Sequence, residues 1–359
     1  MNVLMFTRYF GSGGTEKVIL QLCNALIRNG DKPVVCAAAG KGVRLLHEHG
    51  ITYYEIEDIS SKNPVVMLKT IKSLREIIKN EQIDIVHTHH RMAAFYVRIL
   101  SIYKEKGFVN TIHNTFSDKR ILTKLSYEKA INVAVGNSVR QNMADYYHLP
   151  ENTIITVYNA IDNTYTAEEE PLTETLKCNG SYLVGNVGRI NTQKGMEYFV
   201  KACAILKKRA VNAKFLIVGE GILEEQIKKL VIDLDLGDYV YFYGFSENVL
   251  NLMSKMDLIV LSSLWEGFPL TPIEAFSVGK TIVATEVPGT LEIVKNNYNG
   301  VIVPIKNEEK LAEAIEKVLQ KKDLRSMLEK NAKATYEEEF SIKVFWQRYQ
   351  ELYDAVLQR

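Results

Sequence analysis

The stretch "DLIVLSSLWEGFPLTPIEAFSVGKTIVATE", residues 257–286, holds one full turn of the pattern that decides the fold. An apolar run, DLIVLSS, gives way to a polar loop with Gly267-Phe268-Pro269. A helical segment begins near Thr271, and a second apolar run, TIVATE, follows. Neither apolar run alternates with polar residues, so each reads as a strand buried on both faces. Two such strands joined through a helix read as parallel neighbours in one sheet. Thr271-Pro272-Ile273-Glu274 fits an N-cap, a proline at the first helical position and a glutamate at the third. Glu274 is therefore expected to be a capping-box partner of Thr271. Glu266 has no comparable local explanation. It lies between Trp265 and a turn that exposes backbone N–H groups, close to a helix start whose dipole attracts anions. A carboxylate there accepts hydrogen bonds from hydroxyls, which suits a sugar attached to a phosphate.

The same alternation runs along the whole chain. In the first half the strand segments are NVLMF, KPVVCAA, ITYYEI, IDIVHTH, GFVNTIH, INVAVGN and TIITVYN. In the second they are SYLVGNVG, AKFLIVGEG, YVYFYG, DLIVLSS, TIVATE and GVIVP. Between them lie amphipathic patterns such as GGTEKVILQLCNALIRNG, apolar at Val18, Leu22, Ala25 and Leu26 and closed by Gly30. A length of 359 residues suits two domains, and strands alternating with helices make both of them doubly wound α/β. The polar segment 162–180, with Pro171, reads as the connection between them. The last segment, SIKVFWQRYQELYDAVLQR, reads as a long amphipathic helix with Val344, Phe345, Tyr349, Leu352 and Val356 on one side.

Composition narrows the function classes. Apolar residues make up 47% and charged residues 24%, the balance of a soluble globular protein. No apolar run approaches the roughly 20 residues needed to span a bilayer. The N-terminal MNVLMFTRYF is expected to be a first strand, not a signal peptide. Cys23, Cys36, Cys178 and Cys203 show no paired spacing and are expected to be buried free thiols in a reducing cytoplasm. Charge is uneven. Residues 1–160 hold 20 Lys and Arg against 14 Asp and Glu, while the remainder holds 24 against 29. Two readings of the basic half stand, a solvated surface and an attraction to an anionic partner such as a phospholipid surface or a pyrophosphate-linked acceptor. Nucleic acid is disfavoured because no basic run is interleaved with aromatics.

Open parallel sheets bind ligands at the carboxyl ends of their strands, so the loops after strands carry the candidates. RYFGSGGTEK has Gly11, Gly13 and Gly14 between the first strand and first helix, which suits phosphate contact or a tight turn. It is a poor dinucleotide fingerprint, because KPVVCAA does not end in an acidic residue. His87, His89 and His90 end another strand. No nearby Cys or carboxylate completes a metal shell, so they are expected to contact substrate, or in the case of His87 to be buried. His113 directly follows a strand. GNVGRINTQKG places Arg189 and Lys194 in one loop, a bidentate fork and a point charge suited to a diphosphate. Asp233 and Asp235 form an Asp-x-Asp on an expected solvated face, and no metal site is expected.

In combination these residues resemble the retaining family-4 glycosyltransferases of the GT-B fold. The resemblance is carried by Gly13-Gly14, His113, YNAID at 158–162, GRINTQKG at 188–195, VGEG at 218–221, FYGF at 242–245, EGFPLTPIEA at 266–275 and VPGTLEIV at 287–294. It implies two Rossmann-like domains facing across a cleft, with a C-terminal helix crossing back to the first domain. The boundaries that follow are 1–161 for an acceptor-binding domain completed by 341–359, 162–180 for the linker, and 181–340 for a donor-binding domain. It implies roles as well. Arg189 and Lys194 neutralise the leaving diphosphate. Gly13, Gly14, Gly267, Phe268, Pro269, Leu270 and Thr271 cradle phosphates and sugar. Glu266 binds a sugar hydroxyl, Glu274 the ribose hydroxyls, and His113 the donor sugar near the reacting carbon. Gly244 and Phe245 flank the nucleobase. Asn159-Ala160 departs from the usual Asn-Gly of the family, and alanine tolerates positive φ poorly.

The implied activity is transfer, with retention and without a metal cofactor, of a hexose or N-acetylhexosamine from a UDP-sugar to an acceptor hydroxyl. The expected acceptor is a lipid-linked or polysaccharide glycan of bacterial cell-surface polysaccharide biosynthesis. The expected location is the cytoplasm or the inner face of the plasma membrane, with anionic membrane contact through the first domain. The alternatives are a small soluble acceptor, or a nucleotide-sugar epimerase or binding protein of the same fold.

Overall fold

A computed structural model describes residues 1–11, 13–177 and 180–358. The chain divides into two units, residues 1–160 with 342–359, and residues 161–341.

In the first unit seven strands form one sheet. They are β1 (Asn2–Tyr9), β2 (Lys32–Ala38), β3 (Thr52–Glu55), β4 (Ile85–Thr88), β5 (Gly107–Ile112), β6 (Ile131–Ala134) and β7 (Ile154–Thr156). Their order is β3-β2-β1-β4-β5-β6-β7, and every pairing is parallel. In the second unit β8 (Tyr182–Val187), β9 (Ala213–Val218), β10 (Val240–Gly244), β11 (Leu258–Leu261), β12 (Ile282–Thr285) and β13 (Gly300–Val303) form a second parallel sheet. Its order is β10-β9-β8-β11-β12-β13. All thirteen strand segments read from the sequence are present. Central strands such as β4, β11 and β12 are buried at every position, which accounts for the apolar runs of β11 and β12; β4 buries His87 and Thr88 as well.

Each sheet reverses its direction of growth once, between β1 and β4 in the first unit and between β8 and β11 in the second. Loops diverge at such a reversal and leave a crevice at the carboxyl ends of the two strands.

The helix Gly14–Arg28 buries Val18, Ile19, Leu22, Cys23, Ala25 and Leu26 and ends before Gly30, whose φ is +79°. The last helix, Ile342–Leu357, belongs to the first unit and sinks Phe345, Tyr349, Leu352, Tyr353 and Val356 into that unit's core. Burying each such side chain contributes about 1.5–3 kcal/mol. Ala160 is 1% exposed in the same core and is not among the described residues with positive φ, so the alanine sits there without strain.

Two expectations are corrected. Residues 162–180 are not a free connection but part of the second unit. Pro171–Leu176 forms a helix, and the polar residues before it are used in docking. Glu170 is buried and accepts from Tyr243 Oη at 2.9 Å and Asn251 Nδ2 at 3.2 Å. The Asn251 side chain also bonds both the N–H and the carbonyl of Glu168. Residues 163–169 are exposed, and Glu170 is the buried polar group whose hydrogen bonds anchor the segment. Thr271, expected as an N-cap, is instead the first residue of the helix Thr271–Ser277, preceded by Leu270 in helical geometry. The Glu274 N–H donates to Leu270 O at 2.8 Å, and the Thr271 hydroxyl points to Val187 O, so no capping box forms.

Cys23, Cys36 and Cys203 are buried free thiols, and Cys178 lies outside the described residues. No helix among the described residues is long and apolar enough to cross a membrane.

Candidate functional site

In the second unit the loops after β8 and β11 meet at the reversal point. The β8 loop runs Gly188-Arg189-Ile190-Asn191 into a short turn at Thr192–Lys194. Asn191 closes that turn by accepting from the Lys194 N–H at 3.2 Å. Gly195 follows with φ +56°, and a Cβ there would lie 2.3 Å from Ser262 O. Only glycine lets the loop press this closely on the end of β11. Ser262 then ties both loops together. Its hydroxyl donates to Lys194 O at 2.9 Å and accepts from Asn186 Nδ2 at 3.0 Å.

The result is a charge pair. Lys194 Nζ lies 2.7 Å from Glu266 Oε1, with side-chain exposures of 12% and 7%. Ser263 Oγ donates to the same oxygen at 2.7 Å, and Gln193 Nε2 donates to Glu266 Oε2 at 3.1 Å. A carboxylate offers about four acceptor positions and an ammonium three donors. Glu266 can therefore accept one further hydroxyl, and Lys194 can donate two further bonds. These three partners give Glu266 a tertiary setting that local sequence rules did not supply. Arg189, by contrast, is exposed, and its guanidinium has no partner among the described residues.

Two more loops close on this pair. A Cβ on Gly219, where φ is +129°, would meet Gly188 O at 2.1 Å. One on Gly221 would meet Ile190 O at 2.2 Å, and one on Gly289 would meet Gly267 O at 2.2 Å. The segments VGEG, GRINTQKG, EGFP and VPGT are thus packed backbone to backbone. The N–H groups of Leu270 and Thr271 have no partner among the described residues. Phe268 lies 6.2 Å from Phe340 between ring centroids, Pro269 is buried, and Glu274 is 8% exposed. Gly244 takes φ +81° and turns the chain into Phe245, which is 66% exposed. Asp235 is fully exposed and pairs with Lys207, and Asp233 is exposed at its helix end.

In the first unit the reversal falls between the glycine loop after β1 and the histidines after β4. Gly13 and Gly14 start the first helix. The Gly13 N–H, expected to be open to an anion, is taken by Glu16 Oε2 at 3.0 Å. Gly13 has φ −86°, so its glycine character answers the close approach of Glu16, not a left-handed turn. Nothing lies within 4 Å of a Cβ built on Gly14, so the local packing does not require glycine there.

The histidines form a stacked array. His87 is fully buried, with Nδ1 2.7 Å from Tyr353 Oη and Nε2 2.7 Å from Thr111 Oγ1. The Thr111 hydroxyl also bonds Tyr349 Oη at 3.0 Å. The His89 ring lies 4.2 Å from His87, and its Nδ1 is 3.1 Å from Nε2 of the partly exposed His113. His90 caps the next helix by accepting the Met92 N–H. Burial holds every member of the group neutral near pH 7. It pushes His87 down to about 3, His113 and His90 to about 4, and His89 well below the usual histidine range. His87 is a core residue, the buried alternative that the sequence left open for it. The His89–His113 contact, like those of Gln193 and Ser263, went unseen in the sequence, where only strand order could have revealed it.

Two doubly wound parallel sheets, each with polar loops gathered at its reversal point, place the chain in the GT-B class of glycosyltransferase folds. Residues 12–165 match the family model described as Glycosyltransferase Family 4, and residues 168–335 match Glycosyl transferases group 1. The chain belongs to this glycosyltransferase family. It is 26% identical over 324 residues to the N,N'-diacetylbacillosaminyl-diphospho-undecaprenol alpha-1,3-N-acetylgalactosaminyltransferase of Campylobacter jejuni, covering 83% of this chain and 84% of that one. A glycosyltransferase from Rickettsia africae superposes with a TM-score of 0.87 at 24% identity, over 100% of this chain and 99% of that one. Anabaena HepE in complex with UDP gives 0.85 at 19% identity, over 99% and 100%.

Proposed function

We propose that this glycosyltransferase transfers a hexose or N-acetylhexosamine from a UDP-sugar, with retention, to a hydroxyl of a lipid-linked or polysaccharide glycan. The observation that carries the proposal is the Lys194–Glu266 pair at the β8/β11 reversal, with Arg189 unpaired on the same loop. In the transfer the anomeric C–O bond to the diphosphate breaks and a new C–O bond forms to the acceptor oxygen. The acceptor proton passes to an oxygen of the departing phosphate. Positive charge grows on the sugar and negative charge on the diphosphate. Arg189 and the two spare donors of Lys194 meet the diphosphate, and the open acceptor position of Glu266 holds a sugar hydroxyl. Preplaced charges of this kind stabilise the transition state more than the ground state. The two cations supply the charge that a divalent ion would supply elsewhere, so we propose transfer without a metal. Acceptor attack on the same face of the sugar retains its configuration.

The UDP donor is supported by the UDP complex of HepE, and the lipid-linked acceptor by the diphospho-undecaprenol acceptor named for the Campylobacter relative. The protein acts in the cytoplasm, at the inner membrane face. The helix Arg120–Tyr127 in the first unit supports the membrane contact. It exposes Ile121 (78%) and Leu125 (45%) among Lys119, Arg120, Lys124 and Lys129, apolar groups flanked by cations as at an anionic lipid surface. A thermal-shift panel of nucleotide-sugars tests the donor. Stabilisation by UDP-sugars and not by purine counterparts is the expected result, and the reverse would sink the UDP reading.

A further inference from the structure

The contact between His89 and His113 has a direction, and the surroundings of His89 decide it. Both imidazoles are buried enough to be neutral near pH 7, so one nitrogen of the 3.1 Å contact carries a proton and the other does not. Two arrangements exist. In one, His113 donates from Nε2, the His89 Nδ1 is bare, and the remaining His89 proton sits on Nε2. In the other, His89 donates from Nδ1, its Nε2 is bare, and the His113 proton moves to Nδ1.

His89 Nε2 is buried and has no hydrogen-bond partner among the described residues. The neighbouring ring of His87, 4.2 Å away and tilted by 32°, has spent both nitrogens on Tyr353 and Thr111. The first arrangement would therefore strand a buried N–H donor with no acceptor among the described residues. The second leaves a bare nitrogen there instead, and among buried backbone groups an orphaned N–H is rarer than an under-satisfied acceptor. His113 Nδ1 has no partner among the described residues, and His113 is the partly exposed member of the array.

We propose that His89 is a positioning residue that donates its Nδ1–H to His113 Nε2, holding His113 as the neutral Nδ1–H tautomer with an N–H, not a bare nitrogen, on its outer side. That N–H is a neutral donor suited to an oxygen acceptor such as a sugar hydroxyl or ring oxygen. The last clause rests on the donor-sugar reading of His113, whereas the tautomer itself does not.

The test is a long-range proton–nitrogen NMR spectrum of the free, full-length protein with ¹⁵N-labelled histidine. His113 is assigned by its disappearance in His113→Gln. The expected result is a protonated, pyrrole-like Nδ1 and a bare, pyridine-like Nε2 for His113. In His89→Leu the two nitrogens of His113 should move toward averaged shifts. A protonated Nε2 in the wild type would overturn the proposal, and so would a His113 signal indifferent to His89→Leu. The wild-type spectrum decides the tautomer even where the variant folds poorly. Transfer kinetics separate the two readings. Full activity of His113→Ala alongside the expected spectrum removes the donor-sugar role of His113 and leaves the tautomer assignment standing.

Discussion

Lys194 and Glu266 stand 72 residues apart in sequence and 2.7 Å apart in space, one at the end of the β8 loop and one midway along the β11 loop. The pair is shielded, with side-chain exposures of 12% and 7%. Each charge holds the other in place while keeping hydrogen-bonding capacity in reserve. Removing one partner does more than subtract a contact, because it leaves the other charge poorly solvated.

Replacing Lys194 by Met therefore has two expected effects. The transfer rate falls at least tenfold, on the order of 1.4 kcal/mol in the barrier. The melting temperature falls as well, because Glu266 keeps Ser263 and Gln193 but loses its counter-charge, at about 3 kcal/mol. Glu266→Gln should lower the rate with a smaller loss of stability, since the amide can keep the Ser263 bond. Steady-state kinetics with melting curves check both. An unchanged rate in Lys194→Met would remove the lysine from the chemistry.

Gly219→Ala should destabilise the second unit without touching a charged group. The added methyl would lie 2.1 Å from Gly188 O at a residue with φ +129°, and strain in such a region costs about 1–3 kcal/mol. Gly14→Ala, with nothing within 4 Å, should fold as stably as the wild type. Denaturant titration of the two variants tests the contrast. Equal midpoints would mean that the β8 and β9 loops are not packed as described.

The histidine array predicts how stability depends on pH. Burial lowers His87 to about 3 and His90 and His113 to about 4, from an ordinary value of 6.5. Between those values and 6.5 the unfolded chain binds protons that the folded chain does not. Unfolding free energy is then level above about pH 6.5 and falls as pH drops toward 4. Urea midpoints at pH 7.5 and 5 measure this, and His87→Gln should reduce the difference. A first-unit midpoint that rises on acidification would contradict the assignment.

Much of the fold was legible because central parallel strands are buried on both faces, and β11 and β12 could be read as apolar runs. The loops after them could be read as well, because glycines and cations collect where strands end. Legibility failed where partners are distant or where polarity misleads. Glu266 reads as a sugar-hydroxyl acceptor, but its partners Lys194, Gln193 and Ser263 were not foreseen, because the first two reach it through tertiary structure. Segment 162–180 reads as the connection between domains, yet it falls within the second unit, where Glu170 and the Glu168 backbone bond Asn251 and Tyr243. Thr271 looked like a cap, but its hydroxyl turns to Val187. His89 and His113 come together only because β4 and β5 are sheet neighbours.

Membrane contact through the helix Arg120–Tyr127 predicts sedimentation with anionic vesicles at low salt. Each surface cation contributes about 1 kcal/mol, so combined Lys119→Glu, Lys124→Glu and Lys129→Glu should release the protein, as should high salt. Equal sedimentation of wild type and triple variant would move the contact elsewhere, and no sedimentation of either would favour a soluble acceptor.

The central claim is that the β8 and β11 loops hold the donor diphosphate. Titration calorimetry of UDP against the wild type, Lys194→Met and Arg189→Ala addresses it most directly. The account predicts UDP binding to the wild type and at least a tenfold weaker affinity, about 1.4 kcal/mol, in each variant. Undiminished UDP affinity in both variants would contradict it.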